Sequence, residues 1–309
     1  MDEGMGARVQ EGGGLGVTRT ALAFSVGIAV CASVSGENLR VDRYGRYGLM
    51  GTGMAERGST AVLLPDGGFL VAGWADVTEP PVEVDAYLIR TDSVGGVLWE
   101  RHVDNCQVDE VFSAGVRPDG GFIIAGSTKG GARRGQSCLD TPDLYLLRTD
   151  AAGNRLWSVS LGTDEKDVGR SVAECRGGGF IVAGSTRSGP GPSDVYVVKV
   201  SAEGEVIWER AFGGKGGQQA FEITETEDGD YVIAGEAEVP NEARYAYVLK
   251  VNGIGDLVWE RSFGVPGVSE HARSLVHAGD GAVVLAGQTS RNGDAELYLA
   301  KVDRTGTLE

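Results

Sequence analysis

The chain has 309 residues, including 50 glycines and only three histidines, and its formal charge is −16. That acidic balance argues against binding to a phosphate backbone, so no nucleic-acid partner is expected, and the surplus charge is read as serving solubility. Helical signals are nearly absent, and the glycines recur at regular turn positions, so they do not mark disorder.

Residues 1–35 form a leading region. Its apolar run, 21–32 (ALAFSVGIAVCA), follows Arg19 and is too short to cross a bilayer, so no membrane span is expected. The run has the length of a signal-peptide core, and Val30-Cys31-Ala32 or Ser33-Val34-Ser35 offers a small-residue cleavage site. The eighteen residues ahead of Arg19 are long and poorly basic for a leader, as a start codon placed too early would make them. Cys31 as a lipid-anchored cysteine would want a small residue where Val30 stands, which favours a cleaved leader. The protein is therefore expected to be secreted, periplasmic or on the cell surface.

From residue 36 to 309 one pattern is written five times. Tyr87, Tyr145, Tyr196, Tyr247 and Tyr298 step by 58, 51, 51 and 51, and Trp99, Trp157, Trp208 and Trp259 follow the first four at twelve residues. Fixed periods of this size mean a repeat architecture. In the second copy, strand signals fall at 113–117, 122–125, 144–148 and 156–161, separated by the turns Asp119-Gly120-Gly121 and Ala152-Gly153-Asn154. The second and third strands are apolar at nearly every position, so each is expected to be buried on both faces. A sandwich with one wet face would alternate more cleanly, and a parallel β-helix has shorter coils. The fold class is all-β: a β-propeller of four-stranded blades, about five of them. The recurring Tyr and Trp residues are read as packing between blades.

The last copy stops at DRTGTLE, one residue before its tryptophan would fall. Residues 36–45 align with 153–162, so an N-terminal strand could complete the last blade and leave no open edge. The ring is thus either five blades closed by the N-terminal strand or a fragment of a larger propeller.

The stretch from Gly126 to Tyr145 covers 19 positions where its equivalents cover 12, which accounts for the longer 58-residue period. Cys138 lies in that insertion and Cys106 follows the strand of Trp99 on the same face, so a Cys106–Cys138 disulfide is expected in an exported chain, worth roughly 3 kcal/mol in the loop-entropy model. Cys175 reads as a small buried residue.

His102, His271 and His277 form no metal-ligand pair, and no CxxC, GxSxG or phosphate loop occurs, so no metal and no cofactor are expected. Glu225, Glu227, Asp228 and Asp230 crowd one hairpin without calcium-loop spacing and read as a solvated turn. On the opposite face, Asp104, Asp109, Glu110, Asp164, Glu165 and Asp167 gather after fourth strands, with Lys129, Arg133 and Arg134 in the inserted loop. This mixed-charge rim is where a ligand is expected, since loops on a rigid scaffold usually carry function.

The repeat, from GGFIIAGST to DLYLLRTDAAGNRLWSVSLG with its WERAFGG and WERSFG variants, resembles a group of secreted bacterial and archaeal β-propeller repeat proteins, most functionally uncharacterised. More distantly, Asp150, Gly153 and Trp157, repeated as Asp92, Gly95 and Trp99, look like the blade pattern of quinoprotein-type propellers, with the Asp-to-Gly step one residue shorter. Those enzymes are eight-bladed, with vicinal cysteines and a calcium site. This chain has five repeats and no adjacent cysteines, so the resemblance implies a docking role for Trp and no cofactor site. The expected function is a binding module for a protein or polysaccharide through one face of loops. The alternative is an enzyme of the glycoside hydrolase-like or quinoprotein-like kind; hydrolysis would need two carboxylates at a defined separation.

Overall fold

The computed structural model describes residues 56–77, 83–103, 108–129, 141–238, 243–278, 280–291 and 294–309, together with three two-residue strands, β1 (Arg19–Thr20), β2 (Val30–Cys31) and β3 (Ser33–Val34). The remaining strands form antiparallel sheets, one per repeat. The first sheet holds β4 (Glu56–Leu63), β5 (Phe69–Val77), β6 (Glu83–Thr91) and β7 (Val97–Val103). The second holds β8 (Val108–Val116), β9 (Phe122–Lys129), β10 (Asp143–Thr149) and β11 (Arg155–Leu161). The third holds β12 (Asp167–Glu174), β13 (Phe180–Thr186), β14 (Asp194–Val200) and β15 (Val206–Phe212). The fourth holds β16 (Gln218–Glu225), β17 (Tyr231–Glu238), β18 (Arg244–Val251) and β19 (Leu257–Phe263). The fifth has three strands, β20 (Ser269–His277), β21 (Val283–Arg291) and β22 (Asp294–Val302).

Within each sheet the strands lie in chain order. Consecutive first strands, β4, β8, β12, β16 and β20, neighbour one another, so they line the inner side of the stack. The arrangement is propeller-like. The sheets meet at shared edges: Val84 bridges Val108 in parallel, Asp167 N–H donates to Pro142 O at 2.8 Å, and Gln218 N–H to Ser193 O at 2.7 Å.

The core is divided among the sheet interfaces. Phe122 and Ile124 pack towards the first sheet with Leu70 and Leu88. Their neighbours Ile123 and Ala125 pack towards the third with Phe180 and Val182. Both faces of each middle strand are therefore apolar, and β10 is buried at all seven positions. This is why the sequence shows continuous apolar runs there instead of alternation.

The fifth sheet ends at β22, where Leu297 and Leu299 are 58% and 57% exposed. Their counterparts Ala246 and Val248 are fully covered by the fifth sheet, packed with Ala272, Leu275 and Leu285. The first and fifth sheets are not hydrogen-bonded to each other, and closure is not seen among the described residues. The segment expected to close the ring, 36–45, lies outside them. So do Cys106 and Cys138 of the expected disulfide. Val30 and Cys31 pair in parallel with Ala61 and Val62 on the inner edge of the first sheet. Among the described residues, no helix is long and apolar enough to cross a membrane.

Candidate functional site

Two kinds of contact join one sheet to the next, and only the outer one is made with the same residue types at every described seam. On the outer side, Trp99, Trp157, Trp208 and Trp259 each lie on the turn between third and fourth strands of the following repeat. The Trp157, Trp208 and Trp259 indole N–H groups donate to Ala202, Gly253 and Arg304 carbonyls at 3.0, 3.2 and 3.0 Å. Each ring covers a glycine: a Cβ built on Gly153 would stand 2.8 Å from Trp99, and one on Gly255 2.8 Å from Trp208. Both glycines also have φ near 80–90° (78° and 89°), so the turn and the docking demand glycine twice over. Asp150 fixes the turn by accepting the N–H groups of Ala152 and Asn154 at 2.9 and 2.8 Å. The tyrosines face the opposite way along the third strand. Tyr87 donates to Glu100 at 2.5 Å, and Tyr196 and Tyr247 make the same bond to Glu209 and Glu260. These residues build the scaffold.

On the inner side, every first strand carries a β-bulge at the same place: between Gly58 and Thr60, Val111 and Ser113, Gly169 and Ser171, Ala220 and Glu222, and Ala272 and Ser274. A bulge leaves one residue out of the ladder and re-aims its side chain. The bulged residues are Ser59, Phe112, Arg170, Phe221 and Arg273. Their side chains meet from sheet to sheet: the Arg170 guanidinium lies 4.6 Å from the Phe112 ring centroid, and that of Arg273 4.0 Å from Phe221. The strand geometry repeats in every sheet, whereas its side chains change from Ser59 to alternating Phe and Arg.

Next to this rim, between the third and fourth sheets, is a cavity of about 290 Å³. Its wall comes from the starts of first and third strands and the ends of second strands, so it opens on the face of the β13–β14 and β17–β18 loops. Arg170, Lys166, Arg187 and Arg244 supply cations, Glu236 and Glu238 carboxylates, and Ser185, Ser193 and Gln219 neutral polar groups. A second cavity, about 350 Å³, shares the 213–217 loop with it and is lined by Tyr247, Glu260 and Arg261.

Glu236 is the charge hub of the wall. It is 4% exposed, one oxygen accepts from Arg244 at 2.9 Å, and the other bonds the His271 Nδ1. Arg273 approaches to 4.0 Å. Burial alone would push this carboxyl up, but the His271 hydrogen bond and the charges of His271, Arg244 and Arg273 hold it below the usual glutamate range. Arg170 is pulled down by its own burial and by Arg273, while Glu110 and Glu236 favour its charge.

The residues expected at the site from sequence fall in three groups. Glu110 is half-buried close enough to Arg170 to stabilise its charge. Lys129, Asp164 and Glu165 are exposed on the same face. Asp109 and Asp167 reach that face but are buried, at 1% and 0% exposure, at the seams between sheets. Burial, with Asp143 nearby, raises the Asp167 carboxyl above its ordinary range despite bonds from Thr163 and Thr186. Asp104, Arg133 and Arg134 lie outside the described residues. The Arg170–Glu236–His271–Arg244 set is not evident in the sequence, where His271 in particular reads as ordinary packing. The available signal is the bulge position, where one repeat carries Arg and its neighbour Phe between otherwise small residues.

Other expectations resolve as packing. Cys175 is buried, accepts the Tyr231 hydroxyl at 3.5 Å, and its thiol is pushed up by burial. Asp228 and Asp230 are clamped by Lys250 at 2.9 and 3.0 Å. Among the described residues no three His, Cys, Asp or Glu side chains converge to hold a metal.

No protein-family model matches the chain. A curated relative, the regulatory protein FlaEY of Caulobacter vibrioides, is 27% identical over 198 residues, a match that takes in 57% of this chain and 20% of FlaEY. The chain thus spans one-fifth of the length of that relative. Solved structures with a similar fold include glycan-active proteins. A polysaccharide lyase of family PL25, an ulvan lyase bound to -[GlcA(1-4)Rha3S]-, matches with a TM-score of 0.50 and 13% identity over 81% of this chain and 68% of its own. The Hadza microbial sialidase Hz136 gives 0.49 and 13% over 82% and 57%. At 13% identity the likeness to the lyase is one of fold.

Proposed function

We propose that this chain is a binding module that recognises a saccharide on its loop face, at the cavity between the third and fourth sheets. The observation that carries the reading is the cavity itself: charged and neutral polar groups from several strand ends converge on a space of about 290 Å³ beside the inner rim. Ligand sites are commonly of this kind, concave with a few convergent polar groups, and about 300 Å³ is the small end of their range. That is room for one sugar ring, with the neighbouring cavity placed for a second. The ulvan lyase, with a similar overall fold, makes polysaccharides the first class to screen.

Binding is favoured over the hydrolytic alternative by the state of Glu236. Both its oxygens are engaged, by Arg244 and by His271. A carboxylate held ionised in that way orients its neighbours and is poorly placed to give up or take a proton. Export of the chain, expected from its leading region, belongs to the same reading; it is checked by whether the protein reaches the periplasm or medium with that region removed. A glycan array probed with the full chain tests the function. Binding to a defined saccharide class, lost when Ser193→Trp fills the cavity in a folded protein, is expected. Silence across the array, or binding untouched by that substitution, contradicts the proposal.

A further inference from the structure

The cavity wall is unlike the rest of the molecule in charge. The chain carries −16 overall. The cavity is lined by four cations, Lys166, Arg170, Arg187 and Arg244, against two carboxylates, Glu236 and Glu238. Glu236 is already answered by Arg244 and His271 within the wall. Lys166, Arg170 and Arg187 then outnumber the wall's other carboxylate, Glu238, although Glu110 outside the wall also favours the Arg170 charge.

Arg170 is the distinctive group. It forms no ion pair and no hydrogen bond among the described residues, and its Nε is buried without a partner. Phe112 lies under the guanidinium, 4.6 Å from ring centroid to Cζ, and compensates part of the lost hydration. A ring against the guanidinium face leaves the in-plane N–H donors for something in the cavity. Glu110 and Glu236 favour the Arg170 charge from a distance but neither pairs with it directly, and a partly desolvated cation without a direct counter-ion is costly to keep. An arriving anion would relieve that cost, and a planar carboxylate matches the guanidinium fork with two parallel hydrogen bonds. Lys166 and Arg187 are exposed at the cavity mouth, and the Arg187 N–H donates to the Lys166 carbonyl at 3.1 Å, which holds the two basic residues side by side. They add attraction at the entrance, where charge raises the rate and selectivity of encounter.

We propose that the cavity selects saccharides that carry a carboxylate, that is, uronic acids, with Arg170 binding the carboxylate and Lys166 and Arg187 drawing it in. This rests on the saccharide-binding reading above and narrows it to one class of sugar. The bulge is the structural device: it takes one residue out of the sheet ladder and gives it to the axis, and of the two bulge arginines, Arg170 and Arg273, it is Arg170 that lines the cavity.

The test is calorimetric titration of the full chain with tetragalacturonate, an alginate tetrasaccharide, their methyl-esterified counterparts and a sulfated disaccharide. The free acid of at least one uronate is expected to bind at least tenfold more tightly than its ester, with affinity falling as salt rises. Arg170→Ala is expected to weaken that binding at least tenfold, and Arg187→Ala, at an exposed position where folding is not at stake, by severalfold. Equal binding of acid and ester would overturn the carboxylate inference while leaving saccharide binding intact. Preference for the sulfated sugar over every uronate would overturn it in favour of a different anion. Binding unaffected by both arginine substitutions would place any saccharide elsewhere and overturn it too. If no acid, ester or neutral saccharide binds, both this inference and the saccharide reading fall.

Discussion

The outer seam and the inner rim of this molecule are built on the same repeat, yet they differ in what repeats. At the seam the side chains recur: tryptophan on glycine, from Trp99 on Gly153 to Trp259 on Gly306. At the rim the backbone recurs in full, as a bulge in each first strand, while its residues vary: Ser59, Phe112, Arg170, Phe221, Arg273. A contact needed to stack any sheet on any other must be the same everywhere. A contact made with one ligand need exist only once. The contrast therefore separates the scaffold from the place where the proposed site lies.

The largest effect should come from the seam. Trp208 is 9% exposed and packs with Tyr231, ring centroids 6.3 Å apart. Trp208→Ala is expected to cost about 3–5 kcal/mol in chemical denaturation. A cost under ~1 kcal/mol would show that the indole is not part of the stack. Next, Gly255→Ala meets both a φ of 89° and the Trp208 ring, and roughly 1–3 kcal/mol is expected. The Gly255→Ala cost should shrink when Trp208 is already alanine, leaving only the backbone strain, because residues in contact are not additive. Strict additivity in that cycle would separate the two residues.

Smaller effects sharpen the reading of the buried acids. Asp167 has its carboxyl raised in the folded state by burial. A raised carboxyl pKa means that the ionised form opposes folding above that pKa and the opposition fades as pH falls. Asp167→Asn is therefore expected to be neutral or stabilising near pH 7, by up to about 1 kcal/mol, with the advantage gone under acid conditions. A marked loss of stability at neutral pH would instead make the charge a needed one. The smallest effect is expected at the Lys250 clamp. Asp228 is lowered to about 2, first by its bond from Thr226 and then by Lys250. A lowered carboxyl pKa contributes stability above its ordinary value of 3.8, and that contribution is lost as pH falls towards 2. Because Asp228 is largely exposed, Lys250→Met should cost within about 1 kcal/mol at pH 7, and the difference from the parent should close near the lowered pKa in a pH series of melting curves.

Much of the scaffold was legible in sequence because it obeys a period. The Tyr and Trp spacings, the turn glycines and the twice-buried strands each follow from a rule with a fixed step, and Phe122–Lys129 and Asp143–Thr149 fall where the apolar runs place them. The loop face was legible as well, since alternating strand direction puts the loops after second and fourth strands together. The position on that face was only partly so. The expected charge cluster runs from Asp109, Glu110 and Lys129 to Asp164, Glu165 and Asp167, and the cavity begins beside its last members, at Lys166, and extends to Arg170 and Glu236. Its groups are drawn from Lys166 to Arg244, far apart in the chain, and are brought together by sheet packing. The bulge that exposes Arg170 depends on strand register, which composition does not report. Asp109 and Asp167 looked like rim charges because an acid beside a turn is usually wet; here the next sheet covers them.

The division between scaffold and site is tested most directly by unfolding and titrating two variants side by side. Arg170→Ala should keep its urea midpoint close to the parent while losing at least tenfold in uronate affinity. Trp208→Ala should lose midpoint, and its folded fraction should still bind. An Arg170→Ala protein that unfolds as readily as Trp208→Ala, yet binds uronate like the parent while folded, would contradict the account.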